Sequence, residues 1–317
     1  MKKKISILGS TGSIGSNTLA IIKKDKKNFE VLLLSTNRNF EKVIQQAKEF
    51  KVKNVIITDF ASFKKAKLKY KKVKIHIYNN FENLDKIFKK KNDLIMSSIT
   101  GLSGLDPTLK SIKFTKKILI ANKEAIICGW SLIYNTLSKY KTKFIPVDSE
   151  HFSIWSLLQN LSSNDVEKVY ITASGGPFLN LPKKKFINIS VKNALNHPNW
   201  KMGKKITIDS STLMNKVFEV IEAKNIFSLP FKKIGILTHP NSYVHSIIKF
   251  KNGLTKILAH DPDMKIPIFN SLYGEKKRFL KTNSINFEVL NNLNLKNVDT
   301  NKFPSVNILN SLPNFNS

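Results

Sequence analysis

Short apolar runs alternate with amphipathic stretches through the first half of the chain. The runs predict buried strands, and the stretches between them, such as the one from Phe40 to Phe50, carry apolar residues at helical spacing. Strands that alternate with helices form a parallel sheet covered on both faces. The pattern therefore predicts a doubly wound α/β domain over residues 1–150. Its predicted strands are Lys4–Leu8, Val31–Ser35, Val55–Ile57, Val73–Ile77, Leu94–Ile99, Ile118–Ala121 and Phe144–Val147.

The pattern is less regular in the second half and predicts an α+β domain over residues 151–280. An Asn252-Gly253 pair between two apolar runs is typical of a hairpin turn. After Arg278 the periodicity fades, so we expect a linker-like C-terminal arm over residues 281–317, with one short strand near Phe287–Leu290. The other predicted strands are Val169–Ala173, Ile234–Leu237, Ser242–Phe250 and Leu254–Ala259.

A glycine-rich turn from Gly9 to Gly15 follows the first predicted strand and precedes a helical pattern that extends to Ile22. Glycines let the backbone lie close to a pyrophosphate, and the free N–H groups of a helix N-terminus favour its negative charge. The spacing is G-x-x-G-x-x-G rather than the commoner G-x-G-x-x-G. Strand, turn and helix in this order predict a Rossmann-like, dinucleotide-binding domain.

The residues after the second predicted strand indicate which dinucleotide binds. An NAD enzyme places an acid there for the ribose 2′-hydroxyl, whereas this chain has Thr36-Asn37-Arg38-Asn39. A cation without an acid suits a 2′-phosphate, so NADPH is the preferred cofactor. The alternative is that Arg38 is an ordinary surface residue.

Two carboxylates follow the last strand of the first domain. Asp148 and Glu150 stand two residues apart in the sequence Asp-Ser-Glu-His, and such hard oxygen ligands suit a divalent cation. Acids are common in loops after strands, so the motif alone leaves metal binding open. Adding Glu219 from a later helix would provide half of an octahedral Mg²⁺ or Mn²⁺ site.

That later helix belongs to the densest polar stretch of the chain, residues 196–222. A helix beginning near Ser210 would place Ser211, Asn215, Glu219 and Glu222 on one face. An ordinary solvated helix face is the alternative. The preceding residues, from His197 to Gly203, place a large aromatic near a glycine and predict a mobile lid loop over residues 197–203. Trp200 could instead anchor this loop to the core.

Composition limits the partners of the chain. A formal net charge of +31 first suggests nucleic acid. However, its only arginines are Arg38 and Arg278, and the lysines are spread over every segment, so we expect no nucleic-acid partner but a preference for anionic small molecules. No apolar run approaches the length of a membrane span, and the single cysteine, Cys128, excludes an internal disulfide. We therefore expect a cytoplasmic protein with no membrane partner.

Five motifs together resemble one family. They are GSTGSIG at 9–15, ANKE at 121–124, PVDSEH at 146–151, SGGPF at 174–178 and HPNWKMGKKITIDSSTLMNK at 197–216. In this order they resemble the 1-deoxy-D-xylulose 5-phosphate reductoisomerases of the non-mevalonate isoprenoid pathway. The resemblance implies a homodimeric enzyme that binds a small phosphorylated sugar. With NADPH and Mg²⁺, Mn²⁺ or Co²⁺ it would rearrange and reduce 1-deoxy-D-xylulose 5-phosphate to 2-C-methyl-D-erythritol 4-phosphate.

The resemblance also implies roles for individual residues, which fall into four groups. The metal ligands are Asp148, Glu150 and Glu219, which with Lys123 form the catalytic group. The substrate contacts are Lys123, Ser149, Glu150, Ser174, His197, Ser210, Asn215, Lys216 and Glu219. The lid residues are Trp200 and Met202. The cofactor contacts are Thr11, Gly12, Ser13, Ile14, Asn37, Arg38, Asn39, Asn122, Glu124 and Gly203.

Two features depart from the family pattern. The family usually has glycine where Asn37 stands, so we expect the adenosine end of the cofactor to be bound slightly differently. Family members also continue into a C-terminal helical domain, which we expect to be missing here because the chain stops at Ser317. The alternative function is therefore a truncated or degenerate homologue that binds ligand without turnover. The presence of every proposed site residue argues against long decay.

Overall fold

The computed structural model describes residues 2–200, 203–274 and 278–312. These residues form two compact units, each with its own sheet. The first unit comprises residues 2–147 together with 268–274, and the second comprises the other described residues. The sequence pattern placed this boundary at residue 150 and assigned 268–274 to the second domain. Among the described residues, no helix has both the length and the apolar character needed to span a membrane.

The first unit contains a seven-stranded sheet in which every neighbouring pair of strands is parallel. The strand order is β4-β3-β2-β1-β5-β6-β7, so the chain reverses direction across the sheet between β1 and β5. Doubly wound sheets bind their ligands beyond the carboxyl ends of the strands at such a reversal. The predicted Rossmann-like sheet is therefore confirmed. The strands are β1 Lys3–Leu8, β2 Phe29–Thr36, β3 Asn54–Ile57, β4 His76–Tyr78, β5 Asn92–Ser97, β6 Thr115–Ile120 and β7 Lys143–Pro146.

The helices of the first unit connect successive strands, and several begin at a side-chain cap. Asn39, Asp59 and Asn122 each accept a hydrogen bond from a backbone N–H in the first turn of the helix that follows. Such caps satisfy donors that the helix leaves unpaired, and they fix where each helix begins. The helices are α1 Ser13–Lys24, α2 Phe40–Glu49, α3 Phe60–Lys69, α4 Leu84–Ile87, α5 Leu105–Ile112 and α6 Lys123–Tyr140.

The second unit contains a five-stranded mixed sheet in the order β11-β10-β8-β9-β12, which confirms the predicted α+β class. β8 and β9 are parallel, and the other neighbouring pairs are antiparallel. The strands are β8 Val166–Ala173, β9 Ile234–Thr238, β10 Val244–Phe250, β11 Thr255–Ala259 and β12 Lys296–Asn297. The remaining helices are α7 Ser149–Leu157, α8 Val191–Ala194, α9 Lys204–Ser211, α10 Met214–Phe227, α11 Lys265–Tyr273, α12 Phe287–Asn291 and α13 Ile308–Ser311.

One apolar core fixes α7 and α10 against this sheet. Ile154 of α7 and Val220 of α10 pack with Val169, Ile171 and Ile248 of the strands, and all five are at most 1% exposed. Burial of large side chains stabilises such a core by about 1.5–3 kcal/mol each. This packing brings the start of α7 and the middle of α10 together.

Two local predictions are wrong. The helix expected from Ser210 is two helices, because Leu213 between α9 and α10 has φ 59° and leaves the right-handed helical conformation. The strand expected at Phe287–Leu290 is α12, which Asn286 caps by accepting the N–H of Val289. The predicted arm also contributes to the second unit, since β12 pairs with β9 and Phe303 is 3% exposed.

Candidate active site

Three carboxylates from two helices lie together in the second unit. Asp148 directly precedes α7, Glu150 lies in its first turn, and Glu219 lies in α10. One oxygen of each carboxylate lies within 4.8 Å of the others. Glu150 and Glu219 are buried, and Asp148 is half-buried. The structure thus brings Glu219 together with two acids that are distant from it in sequence.

This all-oxygen set of ligands fits a hard divalent cation such as Mg²⁺ or Mn²⁺. Buried carboxylates repel one another, and a cation among them offsets that repulsion. Three protein oxygens also leave coordination positions for substrate and water. The residues present therefore fit the metal that the sequence motifs imply.

Lys216 and its neighbours bind these carboxylates directly. The ammonium of Lys216 donates to Glu150 Oε1 and, at 2.6 Å, to Glu219 Oε2. Asn215 donates its side-chain N–H to Glu219 Oε1, and the Ser149 hydroxyl donates to Glu150 Oε2 at 2.6 Å. These hydrogen bonds orient Glu150 and Glu219, and they place two proposed substrate contacts, Asn215 and Lys216, beside them.

Burial and charge act in opposite directions on the ionisation of this cluster. Burial by itself would raise the pKa of Glu150, but the Lys216 charge and hydrogen bonds with Asp148, Lys216 and Ser149 hold that pKa below its ordinary value. Burial by itself would lower the pKa of Lys216, but the charges of Glu150 and Glu219 raise it. Glu150 and Lys216 are therefore both charged near neutral pH.

His151 and Glu222 form a second buried pair next to Glu219. The imidazole is completely buried, and its Nε2 lies 2.8 Å from the backbone carbonyl oxygen of Glu219. Because a carbonyl only accepts, Nε2 carries the hydrogen of this bond. The other ring nitrogen, Nδ1, lies 3.3 Å from a carboxylate oxygen of Glu222, within ion-pair distance. His151 thus connects α7 to the backbone of α10 at Glu219.

Asp148, His151 and Glu222 also offer one ligand atom each within 4.8 Å of one another. In that set Nδ1 of His151 would be the ligand atom, because Nε2 is bonded to a carbonyl, but an oxygen-only set suits Mg²⁺ better than one with an imidazole nitrogen. The sequence analysis gave His151 and Glu222 no site role. The available signals were that His151 follows Glu150 directly and that Glu222 lies three residues after Glu219, on the same helix face.

The SGGPF turn follows β8 and carries Ser174, whose hydroxyl lies 3.0 Å from Nε2 of His197. Nδ1 of His197 accepts the backbone N–H groups of Asn199 and Trp200 at 3.1 and 3.0 Å. Nε2 therefore carries the ring hydrogen and donates it towards Ser174. Burial, with a smaller contribution from the charge of Lys216, lowers the pKa of His197. His197 is therefore a neutral donor near neutral pH.

Ser210 lies at the end of α9, against the same turn. Gly176 has φ 65°, and a Cβ atom added to it would lie 2.7 Å from the backbone oxygen of Ser210. Only glycine therefore allows the turn to approach α9 this closely. The structure places the proposed substrate contacts Ser174, His197 and Ser210 on adjoining segments of the second unit.

The described part of the lid packs on a histidine. The Trp200 ring meets the His245 ring edge-on, with 6.2 Å between ring centroids. His245 is buried. Asn199 donates its side-chain N–H to the Pro240 carbonyl and the Ser242 hydroxyl. Met202 lies outside the described residues. Gly203, a proposed cofactor contact, is exposed at the start of α9.

The glycine-rich turn of the first unit joins β1 to α1. Gly9 has φ 82°, and a Cβ atom added to Gly15 would lie 2.5 Å from the Gly9 backbone oxygen, so the turn requires both glycines. Neither a side-chain cap nor an acidic residue occupies the first turn of α1, which leaves its N-terminus suited to an anion. The proposed contacts Thr11, Gly12, Ser13 and Ile14 form this turn and the first residues of α1.

The segment after β2 presents an exposed cation. The Arg38 side chain is 82% exposed and lies 3.6 Å from a carboxylate oxygen of Asp59, which follows β3. Asn37 donates its side-chain N–H to the hydroxyl of Thr58 at 2.9 Å, and Asn39 caps α2. Arg38 is thus accessible to a phosphate. Asp59, which sequence reasoning missed, is the nearby acid.

The ANKE motif forms the start of α6 in the first unit. Asn122 accepts the N–H of Ala125 and donates its own side-chain N–H groups to the backbone oxygens of Ile99 and Gly101. These bonds give the Asn122 side chain a structural task. Lys123 is 5% exposed and Glu124 is half-buried in the first turn of α6.

Comparison with known proteins gives consistent matches along the chain. The family model for 1-deoxy-D-xylulose 5-phosphate reductoisomerase matches residues 5–129, and the model for the C-terminal domain of that family matches residues 144–227. The reductoisomerase of Pelagibacter ubique is 60% identical over 99% of this chain and 82% of its own length. That of a Sulfurihydrogenibium species is 42% identical over 95% of this chain and 77% of its own length.

Two solved structures share the fold over nearly the whole chain. The 1-deoxy-D-xylulose 5-phosphate reductoisomerase of Zymomonas mobilis in complex with NADPH is 30% identical, with a TM-score of 0.87 over 98% of this chain and 80% of that one. A DOX-P reductoisomerase in complex with NADPH, fosmidomycin and magnesium is 32% identical, with a TM-score of 0.90 over 98% of this chain and 79% of that one.

Proposed function

The chain belongs to the 1-deoxy-D-xylulose 5-phosphate reductoisomerase family, and we propose that the carboxylate cluster of its second unit is the centre of that reaction. It is an NADPH- and magnesium-dependent oxidoreductase that converts 1-deoxy-D-xylulose 5-phosphate to 2-C-methyl-D-erythritol 4-phosphate. The observation that supports this centre is the meeting of Asp148, Glu150 and Glu219 within 4.8 Å of one another.

Asp148, Glu150 and Glu219 are the proposed metal ligands. A bound Mg²⁺ supplies Lewis-acid polarisation of the substrate carbonyl and stabilises alkoxide character during the rearrangement. Lys216 and Asn215 hold the Glu219 carboxylate in place, and the Ser149 hydroxyl does the same for Glu150. These bonds orient both acids, so little reorganisation is needed when substrate binds.

The substrate phosphate is the proposed ligand of the Ser174, His197 and Ser210 side chains, together with Asn215 and Lys216. Serine hydroxyls, an amide and a neutral Nε2–H donate hydrogen bonds, and the ammonium supplies charge. The tautomer of His197, fixed by the backbone of the following residues, supports this role because it leaves Nε2 as a donor.

Two further groups act at the reacting end of the substrate. Lys123, buried at the start of α6, is the proposed catalytic contact, and Ser149 and Glu150 are the proposed contacts from α7. Trp200 and Met202 are the proposed lid, which excludes water while the aldehyde intermediate awaits reduction.

NADPH is the hydride donor, and the glycine-rich turn of the first unit is its proposed pyrophosphate site. The uncapped N-terminus of α1 and the exposed Arg38 support this assignment, because both favour phosphate. The other proposed cofactor contacts are Asn37, Asn39, Asn122, Glu124 and Gly203. At Asn122 we propose that the backbone contacts the cofactor, because the side chain is bonded to the loop at Ile99 and Gly101.

We also propose a cytoplasmic homodimer. Cys128 is exposed and is the single cysteine of the chain. A chain that can form no internal disulfide suits a reducing compartment. β11 lies at an edge of the second sheet, and Leu254 and Ile257 near it are 59% and 48% exposed. An exposed apolar edge strand favours pairing with another copy of the chain. Light scattering of the purified protein tests this by its molar mass in solution.

The decisive test of function follows NADPH by its nicotinamide absorbance. We expect oxidation only when 1-deoxy-D-xylulose 5-phosphate and Mg²⁺ or Mn²⁺ are both present, with 2-C-methyl-D-erythritol 4-phosphate as product. Thermal stabilisation by NADPH without substrate-dependent oxidation would instead support the alternative, a homologue that binds ligand without turnover.

A further inference from the structure

The described part of the C-terminal arm, residues 281–312, packs a phenylalanine beside the junction of α9 and α10. Phe303 is 3% exposed and forms a buried cluster with Ala173, at the end of β8, and Leu213, the residue before α10. The turn that follows it, Pro304–Asn307, lies against α10. The arm therefore contacts the helix that carries Glu219.

Leu213 has an unusual backbone conformation at this junction, with φ 59° and ψ 9°. Its N–H donates to the Ser210 carbonyl at 3.2 Å, and its own carbonyl accepts the N–H groups of Lys216 and Val217 at 3.0 and 3.3 Å. Leu213 thus ends α9 and begins α10. A residue with a Cβ atom adopts this left-handed conformation only where its surroundings hold it there.

Polar contacts of the arm surround this cluster on both sides. Lys302 donates to the Leu179 carbonyl, directly after the SGGPF motif, at 2.6 Å, and Ser305 donates to the Thr212 carbonyl. The Phe186 ring lies between those of Phe178 and Phe303, with centroid distances of 5.9 and 6.4 Å. The arm is thus bonded next to the turn that carries Ser174 and to the junction between Ser210 and Asn215, all proposed phosphate contacts.

We propose that Phe303 is a positioning residue for the reaction. By filling the space beside Leu213, it holds the left-handed junction and so sets the positions of Asn215, Lys216 and Glu219. Phe303 touches neither substrate nor metal and acts through Leu213. The inference rests on the proposed function, because it takes these α10 residues to bind substrate and metal.

The variant Phe303→Ala tests this against a matched truncation, Phe88→Ala. Phe88 is 6% exposed in the first unit, where its ring centroid lies 5.5 Å from that of Phe114, so its ring is buried like that of Phe303 but lies outside the unit that contains α10. Both variants remove a buried ring, so both are expected to lower the midpoint of urea unfolding. Phe303→Leu keeps most of the apolar volume and is expected to restore function in part.

For Phe303→Ala we expect the KM for substrate and the Kd for inorganic phosphate, measured by calorimetry, to rise about 10- to 100-fold, as small misplacements of binding groups do. The Kd for NADPH should stay within about twofold of wild type, because the proposed binding site for NADPH is the glycine-rich turn of the first unit. A twofold change in Kd corresponds to ~0.4 kcal/mol of binding free energy. Phe88→Ala should leave both Kd values unchanged. Wild-type KM and phosphate affinity in Phe303→Ala would overturn the proposal.

Hydrogen exchange of the Lys216 and Val217 amides provides a readout that does not depend on activity. Both amides bond to the Leu213 carbonyl, so Phe303→Ala should reduce their protection while Phe88→Ala does not. Equal protection in the two variants would overturn the proposal even if the wild type proves inactive. A wild type without turnover, but with this difference in exchange, would reject the proposed function and leave the positioning role of Phe303 standing.

Discussion

The two candidate binding regions differ in how they are built. The carboxylate cluster of the second unit uses buried, mutually bonded side chains from segments far apart in sequence, such as Glu150 and Glu219. The glycine-rich turn of the first unit uses contiguous backbone, with an exposed arginine, Arg38, on the segment after β2. The carboxylate cluster depends on every one of its members. At the glycine-rich turn and Arg38, by contrast, each group adds a nearly independent contribution to ligand binding.

This difference predicts how each region tolerates change. Removing one member of a buried ionic network leaves the others with uncompensated charge in a low-dielectric environment. Removing an exposed side chain that meets a ligand from solvent loses only its own contact. We therefore expect large effects from substitutions near Glu219 and small ones at Arg38.

The largest effect is expected for Glu219→Gln. The change keeps the shape of the side chain but removes the charge of a proposed metal ligand and one of the two carboxylate partners of the buried Lys216. Since loss of groups that only orient ligands already costs 10- to 100-fold, we expect kcat/KM to fall by more than about 100-fold. The matched control is Glu167→Gln, an exposed glutamate paired with Lys249, which should behave as wild type. Residual activity above about a tenth would contradict the assignment.

The next effect is expected for Glu222→Gln. Glu222 pairs with His151, which in turn bonds the Glu219 backbone, so we expect the substitution to disturb the orientation of a proposed metal ligand. We expect the Kd for Mn²⁺, measured by calorimetry, to rise about 10- to 100-fold. Glu288→Gln on the exposed face of α12 is the control. Unchanged Mn²⁺ affinity in Glu222→Gln would separate this pair from the metal site.

A smaller effect is expected for Arg38→Ala. Loss of one exposed cation that faces a 2′-phosphate should raise the KM for NADPH about tenfold and leave the KM for NADH unchanged. Arg278→Ala removes the other arginine, which is also exposed, and should change neither value. An equal change for both cofactors in Arg38→Ala would show that this side chain does not read the 2′-phosphate.

The smallest effect is expected from acidification. Burial is the main cause that lowers the pKa of His197, His239, His245 and His260, all in the second unit, below the ordinary value of 6.5. The unfolded chain then binds more protons as pH falls through that value, so the free energy of unfolding decreases. We expect a lower urea midpoint at about pH 5.5 than at about pH 7.5, with a weaker pH dependence in His245→Asn. A midpoint that rises on acidification would contradict these shifts.

The sequence was sufficient for the regular parts of the fold. Apolar runs such as Lys4–Leu8 predicted the parallel sheet because strands buried on both faces need continuous apolar residues. The strand predicted at Val73–Ile77 was less accurate, since β4 spans His76–Tyr78. A strand this short contains too few residues for the sequence pattern to predict where it begins and ends.

The irregular positions could not be predicted in the same way. A left-handed leucine at 213 splits one expected helix, and leucine gives no sign of that conformation because its neighbours impose it. At Phe287 the apolar run favoured a strand, but the side chain of Asn286 caps a helix there, a signal that outweighs propensity. The burial of Phe303 in a segment without periodicity was also beyond local patterns.

The site also contains residues whose proximity the sequence could predict and others whose proximity it could not. Asp148 and Glu150 stand two residues apart directly after a predicted strand, so their shared location follows from the strand end. The proximity of Glu219 depends on how α7 and α10 pack. The sequence suggested Glu219 as a third acid, through its place in a polar stretch and then through the family resemblance, but it could not show that the three acids meet. The pairing of His151 with Glu222 needs the same packing, which explains why it was missed.

The central claim is that Asp148, Glu150 and Glu219 hold one divalent cation. A crystal structure of the chain soaked with Mn²⁺, with the ion located by anomalous scattering, tests it most directly. We predict one peak bonded to an oxygen of each of these three carboxylates, at about the 2.0–2.2 Å expected for carboxylate ligands of a small divalent ion. A peak bonded instead to Asp148, His151 and Glu222, or no peak near Glu219, would contradict the account.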